Sequence, residues 1–300
     1  MTAAESSQPR PVPGSTLLRL LAAECVLAAC FLGPLVSLAR FAYASDLYSH
    51  ILLIPFICIY LVRASGGRVL FAEGASAKPG AALMAAGAAL IASRAWAFKT
   101  GVTMDTEVSL GISTLSFLLL AVGLAAAMLG VRILRTFAFP AALLLLMVPF
   151  PAPVTNWIEG VLQHGSAAAA VGLLRLCGTP VFFSDLSLQL QTITLEVAPE
   201  CSGLRSTLAL FITSLIAGHL LLRSPWRRSV LVLVVFPLAI LRNGFRVFVI
   251  GELCVHIGPQ MIDSYIHRHG GPIFFALSLV PFFSVLYVLM RMEKAPESRR

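Results

Sequence analysis

Charge is scarce in this chain. Only 12% of its 300 residues are Asp, Glu, Lys or Arg, and 14 of them are acidic. A soluble domain carries about a quarter, so an ordinary soluble fold is excluded. Also missing are a Cys-x-x-Cys pair and any Cys/His spacing suited to zinc, which removes a dithiol motif and a structural metal site. No internal repeat occurs, and no linker is long enough to separate two domains. What fills the space is apolar: 58% of residues are hydrophobic, the composition of an all-α polytopic membrane protein. The net charge of +8 does not point to nucleic acid, because the basic residues fall in short clusters between apolar runs. That pattern sets membrane orientation.

Eight crossings are expected, at roughly 16–42, 48–62, 79–98, 108–129, 133–149, 203–222, 229–250 and 272–290. The second is short for a hydrocarbon core of about 30 Å. Residues 1–14 read as a disordered tail, 15–292 as one integral-membrane domain, and 293–300 as a basic tail. Arg10 and Arg19 open the first crossing, and Arg63 and Arg68 follow the second. Arg132 and Arg135 separate the fourth and fifth; Arg223, Arg227 and Arg228 separate the sixth and seventh; Arg291, Lys294, Arg299 and Arg300 close the chain. The connection 43–49 has no Lys or Arg, and 99–107 has only Lys99. The charge rule therefore places both termini in the cytoplasm and the connections 43–49, 99–107, 150–202 and 251–271 outside.

Residues 154–176 hold Trp157, Glu159, Gln163 and His164 among Ala, Val and Leu. A ninth crossing there would turn the Arg223/Arg227/Arg228 cluster outward, so an interfacial or re-entrant helix is expected. From 180 to 198 apolar and polar residues alternate: Leu186, Leu188 and Leu190, then Ile193, Leu195 and Val197. A period of two predicts a short strand or hairpin. Of the six cysteines, Cys25, Cys30 and Cys58 lie within apolar runs, as packed small hydrophobes do. A disulfide from Cys177 to Cys201 or Cys254 is open if that side is oxidising.

Polar chemistry gathers near the ends of three late segments. Cys201 precedes the sixth crossing in Glu200-Cys201-Ser202-Gly203-Leu204-Arg205-Ser206. Ser202 and Gly203 suit a tight entry into a helix, whose positive end favours a thiolate. Arg242 and Arg246 are four apart and share a helical face, with Asn243 able to orient a neighbour. An arginine inside a span costs several kcal/mol unless it meets a partner or a wet cavity. His267 and His269 lie in the loop before the last crossing, and His256 is a weaker candidate at the end of the seventh. Tyr48 and His50 enter the second crossing, for substrate binding or for anchoring at the interface. Singly, these residues have plain readings: a packed thiol, a snorkelling arginine, solvated histidines. On one side of a bilayer, thiol, guanidinium and imidazole are the parts of an acyl-transfer site.

Cys201-Ser202-Gly203 with Arg205-Ser206, Asn243-x-x-Arg246-Val247, His267-x-x-x-Gly271 with Phe275, and Tyr48-Ser49-His50 with Pro55 together resemble the exosortase/archaeosortase family. Pro272 stands where that family's pattern would place tryptophan. The resemblance implies a multi-pass transpeptidase-like cysteine protease of a prokaryotic cytoplasmic (inner) membrane, its site facing outward, with no cofactor. It implies Cys201 as nucleophile, Arg246 as the stabilising arginine and His267 as acid/base. Arg242, Asn243, Ser202, Gly203, Arg205, Tyr48, His50 and His269 would support the site or bind substrate. Implied partners are exported proteins with a C-terminal sorting signal (a Pro-Glu-Pro-type motif, a membrane helix, a basic tail), the lipid bilayer, and an envelope lipid or glycan acceptor. Two other readings compete. One is a transporter or assembly factor for envelope polysaccharide, using the arginines to bind anions. The other is thiol–disulfide exchange, which would need a resolving thiol.

Overall fold

The computed structural model describes residues 10–11, 14–64, 71–72, 77–130, 136–184, 186–191, 193–197, 203–266 and 270–294. The helical, multi-pass architecture expected from the sequence is present. Among the described residues five helices are long and apolar enough to cross a bilayer, or up to seven if each of two broken helix pairs is one span, against the eight expected crossings. The chain divides into two compact units, 1–152 and 153–300.

In the first unit the expected crossing at 16–42 is broken. Helix α1 (Gly14–Cys30) and helix α2 (Leu32–Ala44) meet at 70°. Pro34 explains the break: it has no N–H for the Cys30 carbonyl four residues back, and its ring crowds that oxygen. Phe31, at the corner, is buried against Phe117 with ring centroids 5.6 Å apart. A 3-10 turn (Ser49–Leu52) leads into helix α3 (Ile54–Ala64), whose 11 residues fall short of the length of a span at the second expected crossing. Two-residue strands β1 (Arg10–Pro11) and β2 (Phe71–Ala72) pair antiparallel.

Helices α4 (Ala77–Lys99) and α5 (Thr106–Leu129) form the closest pair in this unit. Small residues permit it: a Cβ on Gly80 would lie 2.6 Å from the Ala127 nitrogen. Ser116 Oγ donates across the pair to the Gly87 carbonyl at 2.6 Å. The fifth expected crossing, 133–149, is not one long helix. Its described part is helix α6 (Ala138–Leu144) followed by a 3-10 turn (Leu145–Met147). Pro149 and Pro151 then interrupt helical hydrogen bonding before the chain coils again, with Pro153 in the first turn of the next helix, where its missing N–H costs nothing.

The second unit begins in helix α7 (Ala152–Leu176). At 1.5 Å per residue its 25 residues extend about 37 Å. Strands β3 (Phe182–Ser184), β4 (Ser187–Gln189) and β5 (Thr194–Glu196) follow as an antiparallel meander. The register pairs Leu188 with both Phe183 and Leu195, which puts the apolar alternate residues on one face. Leu188, Leu190, Leu195 and Val197 bury that face against Ala167, Ala170, Val171 and Leu174 of α7. Burying each leucine contributes about 2 kcal/mol.

Helix α8 (Leu204–Leu221), helix α9 (Pro225–His256) and helix α10 (Gly271–Lys294) complete this unit. They share a core of Leu210, Leu231, Val235, Phe282 and Leu286. Glu293 closes one end. Its carboxylate accepts from the Arg223 and Ser224 amides at 2.9–3.1 Å and pairs with Arg227 at 3.3 Å. The α8–α9 connection and the end of α10 thus meet. Helix α9 has 32 residues, about 48 Å, well beyond the 22 expected at 229–250.

Candidate functional site

Gly203 begins the site. It sits before the first turn of α8 with φ +71°, a left-handed conformation that glycine adopts without strain. Its carbonyl collects donors. The Thr207 amide reaches it at 2.9 Å, Thr207 Oγ1 at 2.8 Å and Ser206 Oγ at 3.0 Å. The fourth donor comes from α9: Arg242 Nη2, at 3.2 Å. That nitrogen also lies 3.4 Å from Thr207 Oγ1. A Cβ on residue 203 would stand 2.8 Å from Arg242 Nη2, so the contact depends on glycine a second time.

Arg242 is 9% exposed. Its Nη1 is buried and has no hydrogen-bond partner among the described residues. A buried donor without an acceptor costs about 1–3 kcal/mol, and more on a charged group. Two ion pairs of this unit lie elsewhere: Arg227 with Glu293, and His256 with Glu252. Asn243 is buried beside the same node, 3.6 Å from the Cβ that Gly203 lacks. Arg246 is half-buried one turn further along α9. Arg205 is exposed on the first turn of α8.

Upstream, a second tether acts. Gln163 of α7 is buried and donates through Nε2 to the Val197 carbonyl at 3.1 Å, while the Val197 amide donates to Leu186. Residues 198–202, with Cys201 and Ser202, lie outside the described residues. Their flanks are fixed, Val197 to α7 and Gly203 to α9. His267 and His269 also lie outside the described residues. After them, Gly270 N–H donates to the Ile266 carbonyl at 3.0 Å, and Phe274 of α10 packs on Phe245 with centroids 6.1 Å apart. The exit of the histidine loop thereby meets α9 at the residue before Arg246.

Tyr48 and His50 belong to the first unit. Tyr48 Oη donates to the Phe150 carbonyl at 3.1 Å. His50 faces the Leu47 carbonyl through Nδ1 at 3.0 Å and the Leu146 carbonyl through Nε2 at 3.2 Å. A neutral imidazole donates to only one of them. Sequence reading missed the tether from Gln163, which nothing in a helical polar residue announces. It also missed Glu252, which accepts from Thr179 Oγ1 at 2.6 Å and pairs with His256 at 2.9 Å. The four-residue spacing of Glu252 and His256 was the available signal. Cys177 and Cys254 are free thiols, so they form no disulfide with one another.

A family model described as transmembrane exosortase (EpsH) matches residues 41–284. No curated protein and no solved structure matches the chain.

Proposed function

This chain belongs to the transmembrane exosortase family, a family of membrane transpeptidases and proteases, and from that premise we propose that it cuts the C-terminal sorting signal of exported proteins through Cys201. The substrate presents a Pro-Glu-Pro-type motif, a membrane helix and a basic tail. Its helix docks among the spans and brings the scissile peptide to the outer boundary of the cytoplasmic membrane. The Cys201 thiolate attacks the scissile carbonyl carbon. Arg246 stabilises the thiolate and the tetrahedral oxyanion. His267 gives a proton to the leaving amine as the C–N bond breaks, which leaves a thioester on Cys201. An envelope lipid or glycan nucleophile, or water, then attacks the thioester and releases the thiolate.

One observation carries this reading: a buried arginine is bonded to the carbonyl of Gly203, two residues from Cys201. A chain reaches at most about 3.6 Å per residue, so the thiol belongs to the neighbourhood of that cation and of the positive end of α8. Arg246 follows one turn later on the same helix. A reporter carrying a sorting tail tests the proposal. Cys201→Ala abolishes processing and Cys201→Ser leaves at most a trace. Processing by Cys201→Ala at the wild-type rate overturns it.

A further inference from the structure

We infer that Arg242, with the Gly203 turn, forms a carboxylate subsite that reads one acidic side chain of the peptide being cut. The inference rests on the reading of Cys201 as nucleophile and adds to it a residue of specificity, distinct from Arg246.

The argument begins with charge and donors. Arg242 is a cation in the middle of a membrane helix, more than nine-tenths buried. Nη2 is occupied by Gly203 O and Thr207 Oγ1. Nη1 is buried without an acceptor among the described residues. No described carboxylate pairs with it, and the next charge along α9 is Arg246, of the same sign. The guanidinium also stands at the start of α8, an 18-residue helix whose N-terminus adds positive potential. A buried cation at a helix N-terminus calls for an anion, and a guanidinium edge suits a carboxylate. The bond from Nη2 to Gly203 fixes the guanidinium plane, so Nη1 is held before a ligand arrives.

Position favours a peptide over a lipid. Arg242 lies about one turn deeper than Arg246 and is the more buried of the two. A headgroup would meet Arg246 and the exposed Arg205 first. An acidic side chain carried on a docked peptide reaches inward.

The full-length protein is reconstituted in nanodiscs and given reporter tails that differ only in Pro-Glu-Pro against Pro-Gln-Pro. Wild type favours the Glu tail in kcat/KM by about tenfold to a hundredfold, the range of a charge-assisted hydrogen bond. Arg242→Gln brings the Glu/Gln ratio to within about twofold of one, and Arg242→Lys retains part of the preference. An unchanged ratio in Arg242→Gln overturns the inference. So does equal use of both tails by the wild type, a comparison that holds even if the variants fold poorly. A preference that disappears when anionic lipid is replaced by neutral lipid assigns the anion to a headgroup and also overturns it. If Cys201→Ala still processes the Glu tail at the wild-type rate, the catalytic reading fails instead.

Discussion

At the scale of single residues, the most demanding position is Gly203. Any side chain there meets a left-handed backbone and the Arg242 guanidinium together. Gly203→Ala is expected to cost about 1–2 kcal/mol for the backbone alone. It should lower the unfolding temperature in detergent and slow tail processing; an unaltered melt would show that the turn relaxes freely. Gln163→Leu leaves the Val197 carbonyl buried without its donor, at a cost of about 1–3 kcal/mol. Thermal unfolding checks it, and a melt equal to wild type would remove the tether from the account. Gly203 and Arg242 were both legible in the sequence, one by its place before an apolar segment, the other as a cation inside one. That they touch was not, because a separation of 39 in the sequence carries no mark of which helix faces meet. Gln163 was invisible for a related reason: its partner is a backbone carbonyl, and every residue has one.

Elements were easier to foresee where a pattern had a period. Alternation over 180–198 announced strands, and the structure supplies three of them, because both β3 and β5 can offer apolar partners to Leu188. Runs of apolar residues announced α4, α5, α8, α9 and α10. They failed at two proline-bearing stretches: Pro34 divides the first crossing, and Pro149 and Pro151 stand between the fifth expected crossing and α7, whereas Pro237 and Pro281 lie inside α9 and α10 without dividing them. Hydropathy counts carbon and is blind to a missing N–H. Pro34→Ala restores the donor for the Cys30 carbonyl, so the angle between α1 and α2 should open from 70° towards a continuous helix. Spin labels at the exposed Leu18 and Tyr43 would read this as a longer distance; an unchanged distance would assign the corner to packing around Phe31. At the other end of the chain, Glu293→Gln removes the charge that holds the α8–α9 connection to α10. Amide exchange should rise at Arg223 and Ser224, with little change in the α7–sheet core.

For the whole molecule, the sequence disclosed class and family, and composition alone sufficed for the first. A chain so poor in charge has few folds open to it outside a bilayer. The count of crossings was less legible, because broken and short helices satisfy a hydropathy window without spanning as one rod. The orientation expected from the basic clusters is open to a direct check. Cys177 is exposed just beyond the end of α7. In a Cys201→Ala background, a membrane-impermeant maleimide should label Cys177 on intact cells. Labelling only after permeabilisation would invert the topology.

The length of α9 has a consequence for the membrane itself. From Arg227 to Arg242 is 15 residues, about 22 Å, while the helix runs on to a polar end at Glu252 and His256. A rod longer than the oil layer is not held in register by its two ends. If its basic foot stays with the inner headgroups, the arginine pair keeps a constant height above that leaflet, and only the opposite waterline moves. Short acyl chains would beach the two guanidinium groups; long ones would drown them. Lipid chain length then sets how wet the site is, with no change to the protein at all.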